Sequence, residues 1–269
     1  MTNFSVLMSL YSKENPKYLD EAINSILNQS LLPSEIVIVK DGILTQELEA
    51  VLDKYSNNPI FKIVGYEKNR GLGLALNFGI KHCSNEVVAR MDTDDISMPD
   101  RFEKEMKLIE DGYDLVGTNT IEFIDSTENI ISKRNMPLTH DEIVLYSKKR
   151  NPFVHPSIMF KKELCLRAGN YKDYYLVEDY DMWVRMMICG ARCVNINENL
   201  VYMRISNDFY ERRGGHKYYL SIKKFFKELR NINYITFIDY YKTMLPRLVI
   251  YHIPNKIRKI IYEKKLRSK

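Results

Sequence analysis

Two acidic clusters carry the chemistry that can be read from this chain of 269 residues. The first, Asp92-Thr93-Asp94-Asp95, closes the apolar run Val87–Met91. Three carboxylates within four residues repel one another strongly unless a cation sits among them. A hard divalent ion such as Mn²⁺ or Mg²⁺ suits Asp ligands and can take diphosphate oxygens at its remaining positions. The competing account is that these aspartates only cap and polarise the following helix. Ser97 can already cap that helix, with Pro99 at its first position and Asp100 completing a capping box. Capping then explains at most one of the three, which favours the metal.

The second cluster is Glu178-Asp179-Tyr180-Asp181-Met182-Trp183. Its carboxylates crowd a predicted helix start, where the helix dipole partly stabilises them. Ordinary acidic decoration of a helix terminus has the same composition. Paired with a metal-type cluster upstream, one carboxylate can instead take the proton of an attacking hydroxyl, and Asp179 is the choice. His155, in Asn151-Pro-Phe-Val-His-Pro156, is a loop histidine between the clusters, placed to meet an acceptor or a diphosphate. Asn69-Arg70-Gly71-Leu72-Gly73 precedes a helical pattern and could face a phosphate. It lacks both the dinucleotide fingerprint and the Walker ending. Arg212-Arg213-Gly214-Gly215-His216 suits folding over a diphosphate and suits a solvated loop equally.

The elements that must position these residues alternate. Strand signals at Phe4–Leu10, Glu35–Lys40, Phe61–Gly65 and Val87–Met91 are separated by helical periodicity at Leu19–Leu27, Leu48–Leu52 and Leu72–His82. Ile36-Val-Ile-Val39 is the continuous apolar run of a parallel strand covered on both faces. This rhythm predicts an α/β fold with a doubly wound, mostly parallel sheet. Such sheets bind ligands beyond the carboxyl ends of their strands, here Tyr11–Glu14, Asp41-Gly42, Asn69–Gly71 and Asp92–Asp95. Beyond Gly112 the elements shorten. Strands are predicted at Leu115–Thr118, Ser157–Phe160, Arg192–Ile196 and Leu200–Arg204, a hairpin across Ile121–Arg134 and a helix at Tyr180–Cys189. No linker composition divides the chain, so residues 1–215 read as one catalytic domain and 216–269 as a helical extension.

With 45% hydrophobic residues the chain can build a large core. Cys83, Cys165, Cys189 and Cys193 have no zinc-site spacing and read as reduced thiols of a cytosolic protein. No signal peptide is expected, and no apolar run approaches the roughly 20 residues that cross a bilayer. From Tyr240 onward, nine Lys and Arg face the single acid Glu263. That surplus of +8 leaves −3 for residues 1–239 out of the net +5. A slightly acidic body argues against nucleic acid as a partner. The tail interleaves apolar residues with its cations, as in a basic amphipathic helix interrupted at Pro246 and Pro254. Such a helix can pack on the body with a solvated basic face or lie on an anionic membrane. The membrane is favoured, at the inner face of the plasma membrane.

Several segments share a further property, their order. They run Ser5-Val-Leu-Met-Ser-Leu-Tyr11, Ser25-Ile-Leu-Asn-Gln29, Val39-Lys-Asp-Gly42, Asn69-Arg-Gly-Leu-Gly73, Ala89-Arg-Met-Asp-Thr-Asp-Asp95, Met98-Pro-Asp-Arg101 and Glu178-Asp-Tyr-Asp-Met-Trp183. The set resembles glycosyltransferase family 2 over roughly Phe4 to Arg213, and within it the bacterial transferases of capsule, exopolysaccharide or O-antigen synthesis. The resemblance implies a GT-A fold, Rossmann-like, and an inverting transfer from a nucleotide-sugar, usually a UDP-sugar. The implied acceptor is a saccharide on a polyprenyl diphosphate carrier. Carried over by motif, Ser9, Tyr11 and Glu14 surround the base with Tyr11 stacking, and Asp41 accepts from the base. Arg70 sits near base and phosphates, Asp92 and Asp94 hold ribose and metal, and Asp95 faces the metal or the sugar. Asp179 lies where the family places its base. His155, Glu178, Trp183, Arg212 and Arg213 are candidates for the acceptor or the diphosphate.

The chain departs from the pattern twice. Lys40 stands where many relatives carry a second Asp, and Arg204-Ile-Ser206 replaces the usual Arg-x-His. The diphosphate contact then falls to Arg204, Arg212, Arg213 or His216. A sugar nucleotidyltransferase is the rival enzyme, but it would carry a Gly-rich basic signature where this chain has Ser9–Glu14. A non-catalytic scaffold protein of a polysaccharide assembly complex would be expected to have lost Asp94, Asp95 or Asp179, and all three are present.

Overall fold

The structure is a computed structural model that describes residues 3–205 and 214–253. Strand β1 (Phe4–Leu10) lies inside the sheet, and its alternating side chains feed two cores. Leu7 faces one helical layer, while Val6 and Met8 face the other. Helix α1 (Pro16–Leu27) begins at Asn15, whose side chain accepts from the Lys17 amide, with Pro16 where a missing N–H costs nothing. The predicted alternation continues through β2 (Glu35–Asp41), α2 (Gln46–Asp53), β3 (Phe61–Tyr66), α3 (Leu72–Ile80) and β4 (Val87–Arg90). Strands β3, β2, β1 and β4 pair in parallel in that order, as crossover helices require.

The second half is mixed. It comprises β5 (Ile96–Ser97), α4 (Arg101–Glu110), β6 (Leu115–Ile124), β7 (Ser126–Arg134), α5 (His140–Ser147), β8 (Ile158–Lys161), α6 (Lys162–Arg167), α7 (Glu178–Ile188) and β9 (Cys193–Arg204). Strand β8 runs antiparallel between β4 and β6, β9 lies parallel to β6, and β5 closes the edge on β9. Among the described residues the sheet has nine strands in the order β3-β2-β1-β4-β8-β6-β9-β5, with β7 paired to β6. The two predicted strands at 192–204 are one strand, β9, whose pairing with β6 shifts register at Asn119. The β6–β7 hairpin turns at Asp125, a short polar residue in the left-handed region (φ 60°).

Ser97 does not cap α4. It lies in β5, so the chain is drawn into the sheet before the helix starts, and Asp100 at the N-cap makes no side-chain cap bond. Gln29, just beyond α1, does the capping: its Oε1 accepts from the Phe102 amide (3.2 Å) and its amide donates to the Met98 carbonyl (2.7 Å). Asp92, Asp94 and Asp95 are therefore separated from α4 by β5. Capping explains none of them.

Helix α8 (Gly215–Asn231) starts one residue before the predicted boundary and packs Phe225 and Phe226 on Tyr180 of α7, with ring centroids 4.6 and 6.1 Å apart. Its buried side chains belong to the same core as Leu7 and Val37 of the sheet. Helix α9 (Phe237–His252) opens with a capping box between Thr236 and Asp239. Pro246, expected to interrupt the helix, sits exposed inside a continuous α9; Pro254 and the rest of the tail lie outside the described residues. No described helix is long and apolar enough to cross a membrane. All four cysteines are free, and Cys83, Cys165 and Cys193 are buried.

Candidate active site

Asp92, Asp94 and Asp95 leave the carboxyl end of β4 with one ligand atom each inside a span of 4.8 Å. Burial, with Asp92 and Glu14 beside it, pushes the Asp94 carboxyl up to about 8. Asp95 is buried and held well above the usual carboxylate range by burial and by Asp94. Its Oδ1 accepts from the Arg204 amide (2.7 Å), while its buried Oδ2 has no hydrogen-bond partner. Crowded carboxylates that resist ionising, with one buried oxygen left over, fit a divalent cation bound through hard oxygen ligands.

Arg204, a candidate for the diphosphate, is engaged within this loop. Its guanidinium donates to the carbonyls of Asp94 (2.9 Å) and Asp125 (2.8 Å) and to Glu21 (2.7 Å), and lies over the Tyr18 and Phe123 rings. It braces Asp94 and Asp95 from β9. Arg212 and Arg213 lie outside the described residues.

The segments expected to meet the nucleotide lie along the ends of β1, β2 and β3. Glu14 accepts from the Thr93 hydroxyl (2.9 Å), tying the segment after β1 to the Asp92–Asp95 loop. Burial, then Asp92, raises the Glu14 carboxyl, opposed by its hydrogen bonds. Tyr11 is exposed and Ser9 partly buried at the end of β1. Asp41 already has internal partners: its two oxygens accept from the amides of Arg70 (2.7 Å) and Gly71 (3.0 Å). It shapes the Asn69–Gly71 loop, and the Arg70 side chain stacks over Tyr66. Gly42 permits this closure, since it has φ 94° and a Cβ there would meet the Asn69 amide at 2.8 Å. Lys40, at the departure from the family pattern, pairs with Glu49 on α2 (2.6 Å).

The second acidic cluster stands at the start of α7, beside α3. Leu176, in the left-handed region at φ 57°, delivers the chain to the start of α7. Glu178 is buried there, its carboxyl pushed up to about 8 by burial and then by Asp179. Asp179 is partly exposed and oriented by Asn151, whose amide donates to its Oδ2 (2.6 Å). The first turn of α3 reaches this cluster directly. A Cβ on Gly73 would stand 2.4 Å from the Lys172 carbonyl and 3.1 Å from the Glu178 Cβ.

Trp183, a candidate acceptor contact, has no exposed surface. It packs among Phe153, Phe160, Tyr171 and His155, so its ring serves the core. His155 lies beside it, 3.1 Å from the Tyr171 hydroxyl, and burial with the Arg90 charge keeps its imidazole neutral.

Arg90 is the residue sequence reasoning passed over. It is 1% exposed, pairs with Asp92, and its charge is felt at Asp94, Asp95, His155 and Glu178. The two acidic clusters thus share one buried cation. Arg101 fixes its backbone by donating to the Arg90 carbonyl (2.9 Å) and is itself paired with buried Glu105 (3.0 Å). The signal was present: an Arg ending the apolar strand Val-Val-Ala-Arg has to be buried with a partner.

Residues 5–167 match the family described as Glycosyl transferase family 2. The chain belongs to that family. It is 37% identical to the Escherichia coli UDP-Gal:alpha-D-GlcNAc-diphosphoundecaprenol beta-1,3-galactosyltransferase, over 98% of this chain and 96% of that protein. It is 36% identical to the amylovoran biosynthesis glycosyltransferase AmsE of Erwinia amylovora, over 97% and 98%. Among solved structures it is similar to S. aureus TarS 1-349 in complex with UDP-GlcNAc, with a TM-score of 0.67 and 17% identity over 92% of this chain and 72% of that one. The mannosyltransferase PcManGT of Pyrobaculum calidifontis, in complex with GDP-Man and Mn2+, gives 0.65 and 16% identity over 95% and 71%. The fold of this glycosyltransferase is accordingly GT-A.

Proposed function

We propose that this glycosyltransferase moves a sugar from a UDP-sugar to a saccharide on a polyprenyl diphosphate carrier, with inversion, in the synthesis of a bacterial surface polysaccharide. The observation that carries the chemistry is the convergence of Asp92, Asp94 and Asp95 with Glu178-Asp179 around buried Arg90. The donor and the acceptor class follow those in the name of the E. coli relative. A membrane-borne acceptor would place the enzyme at the inner face of the plasma membrane.

In this reading Asp179, held by Asn151, takes the proton from the acceptor hydroxyl as its oxygen bonds to the anomeric carbon. The bond from that carbon to the diphosphate breaks on the opposite face, which inverts the centre. Asp94 and Asp95 would hold Mn²⁺ or Mg²⁺, with Asp92 shared between ribose and metal. When bound, the ion supplies positive charge to the leaving diphosphate. Ser9, Tyr11, Glu14 and Arg70 line the side on which the nucleotide binds, and Asp41 contributes by fixing the Arg70 loop. Neutral His155 and the protonated Glu178 carboxyl are suited to hydrogen bonds with sugar hydroxyls.

The test is a panel of UDP- and GDP-sugars with purified protein, with Mn²⁺, with Mg²⁺ and with chelator. The expected result is turnover of a UDP-sugar that stops when the metal is removed. Turnover unchanged by chelation, or confined to GDP-sugars, contradicts the reading.

A further inference from the structure

We propose that the outward face of α9 is a docking surface for an anionic lipid bilayer. This rests on the reading that the acceptor is carried in a membrane, and it assigns the part of the protein that meets the lipid. Phe237, Ile238, Tyr241, Leu245 and Val249 are each between 42% and 62% exposed. At the α-helical repeat they project within an arc of about 120° and run for about 18 Å along the helix. The opposite side of α9 is already used: Thr243, Met244 and Tyr251 are buried, and Tyr251 packs on Tyr218 of α8 with centroids 5.0 Å apart. The helix therefore has one apolar face against the protein and a second facing solvent. A helix that merely stabilises the body needs only the first.

Charge decides what covers the second face. The one carboxylate of α9, Asp239, points off the stripe and accepts from the Thr236 hydroxyl (2.7 Å). Exposed Lys242 flanks the stripe. Beyond α9, residues 254–269 carry seven Lys and Arg against Glu263. An apolar stripe edged by Lys242 and followed in sequence by a basic segment suits an anionic leaflet, where apolar side chains enter the acyl boundary and cations meet headgroups. The location also suits the acceptor side of the site. Arg247 of α9 donates to the Lys149 carbonyl (2.6 Å), and two residues later Asn151 holds Asp179.

The test is flotation of the full chain with vesicles of phosphatidylethanolamine containing roughly one-third phosphatidylglycerol, and with phosphatidylcholine vesicles. It compares the unsubstituted protein with the triple variant Ile238→Glu, Leu245→Glu, Val249→Glu. The unsubstituted protein should float with the anionic vesicles and far less with phosphatidylcholine. The variant should partition about tenfold or more less, with an unchanged melting midpoint, because its altered side chains are solvent-facing. Equal flotation of the two proteins overturns the proposal, as does equal binding to both lipids. A dimer in sedimentation that the variant dissociates while its lipid binding is unchanged also overturns it, since the stripe would then be a contact between copies. No acceptor is present in this assay, so its outcome is independent of the donor and acceptor assignments.

Discussion

The guanidinium of Arg90 pairs with the carboxylate of Asp92, joining a side chain 1% exposed to one that is 34% exposed. The guanidinium also lies near enough to His155 to help keep it neutral, and to lower the Glu178 carboxyl against burial. Loss of this cation should loosen both clusters. Arg90→Met should destabilise the fold by about 2 kcal/mol and lower transfer about 100-fold. Arg90→Lys keeps the charge without the planar fork and should recover stability more fully than activity. Urea unfolding and steady-state kinetics on both variants check this; full activity in Arg90→Met would contradict it.

Asp94 experiences burial together with like charge, so its removal should separate stability from catalysis. Metal-free Asp94→Asn should be more stable than the metal-free parent by about 1 kcal/mol, because one member of a repelling group is gone. Mn²⁺ should raise the melting midpoint of the parent and leave that of the variant nearly unmoved. Transfer should fall by about 10² to 10³. Thermal melts with and without metal, alongside activity, test all three.

Glu178 gives a pH dependence with a defined sign. Its carboxyl moves from the ordinary value of 4.5 to about 8, through burial and then Asp179. The folded chain keeps this proton to higher pH than the unfolded chain does. Its contribution to stability is therefore complete below about pH 4.5 and is lost as pH rises towards about 8. Between pH 5 and pH 8 the parent should lose on the order of 2 kcal/mol more than Glu178→Gln. Parallel stability profiles for the two would rule this out.

Gln29 sits away from the chemistry and holds the fold, by tying α1 to the start of α4. Gln29→Ala should cost about 1–2 kcal/mol through the unpaired Phe102 amide and Met98 carbonyl. Donor KM should change less than twofold, roughly. Denaturation midpoints and donor titrations read the two effects separately.

The first half of the fold was legible because its signals are local. Ile36-Val-Ile-Val39, the Asn15-Pro16 start and the periodicity of α1 and α3 each declare an element without reference to the rest of the chain. Asp92–Asp95 was legible for the same reason, as an unusual local density of charge, while Glu178-Asp179 stood out only when paired with it. What escaped depends on distant partners. Ser97 looked like a cap because nothing nearby marks Gln29, which comes to α4 from α1, or the pairing of Ser97 with Val201. Arg204 looked free for a diphosphate because its partners Glu21 and Asp95 are 183 and 109 residues away. Trp183 looked available because its cage is assembled from Phe153, Phe160 and Tyr171 on three other segments. Pro246 looked like a break because helix propensity alone ends there, while packing of Met244 and Tyr251 carries α9 across it.

The most direct test of the account is Asp179→Asn, assayed for transfer and for donor binding with metal present. Asn151 can still hydrogen-bond the new side chain, so the fold and the nucleotide edge should be preserved. The expected result is a loss of transfer of about 10³-fold or more, with donor affinity within roughly twofold of the parent. Transfer within about tenfold of the parent would show that another group takes the acceptor proton and would contradict the central claim.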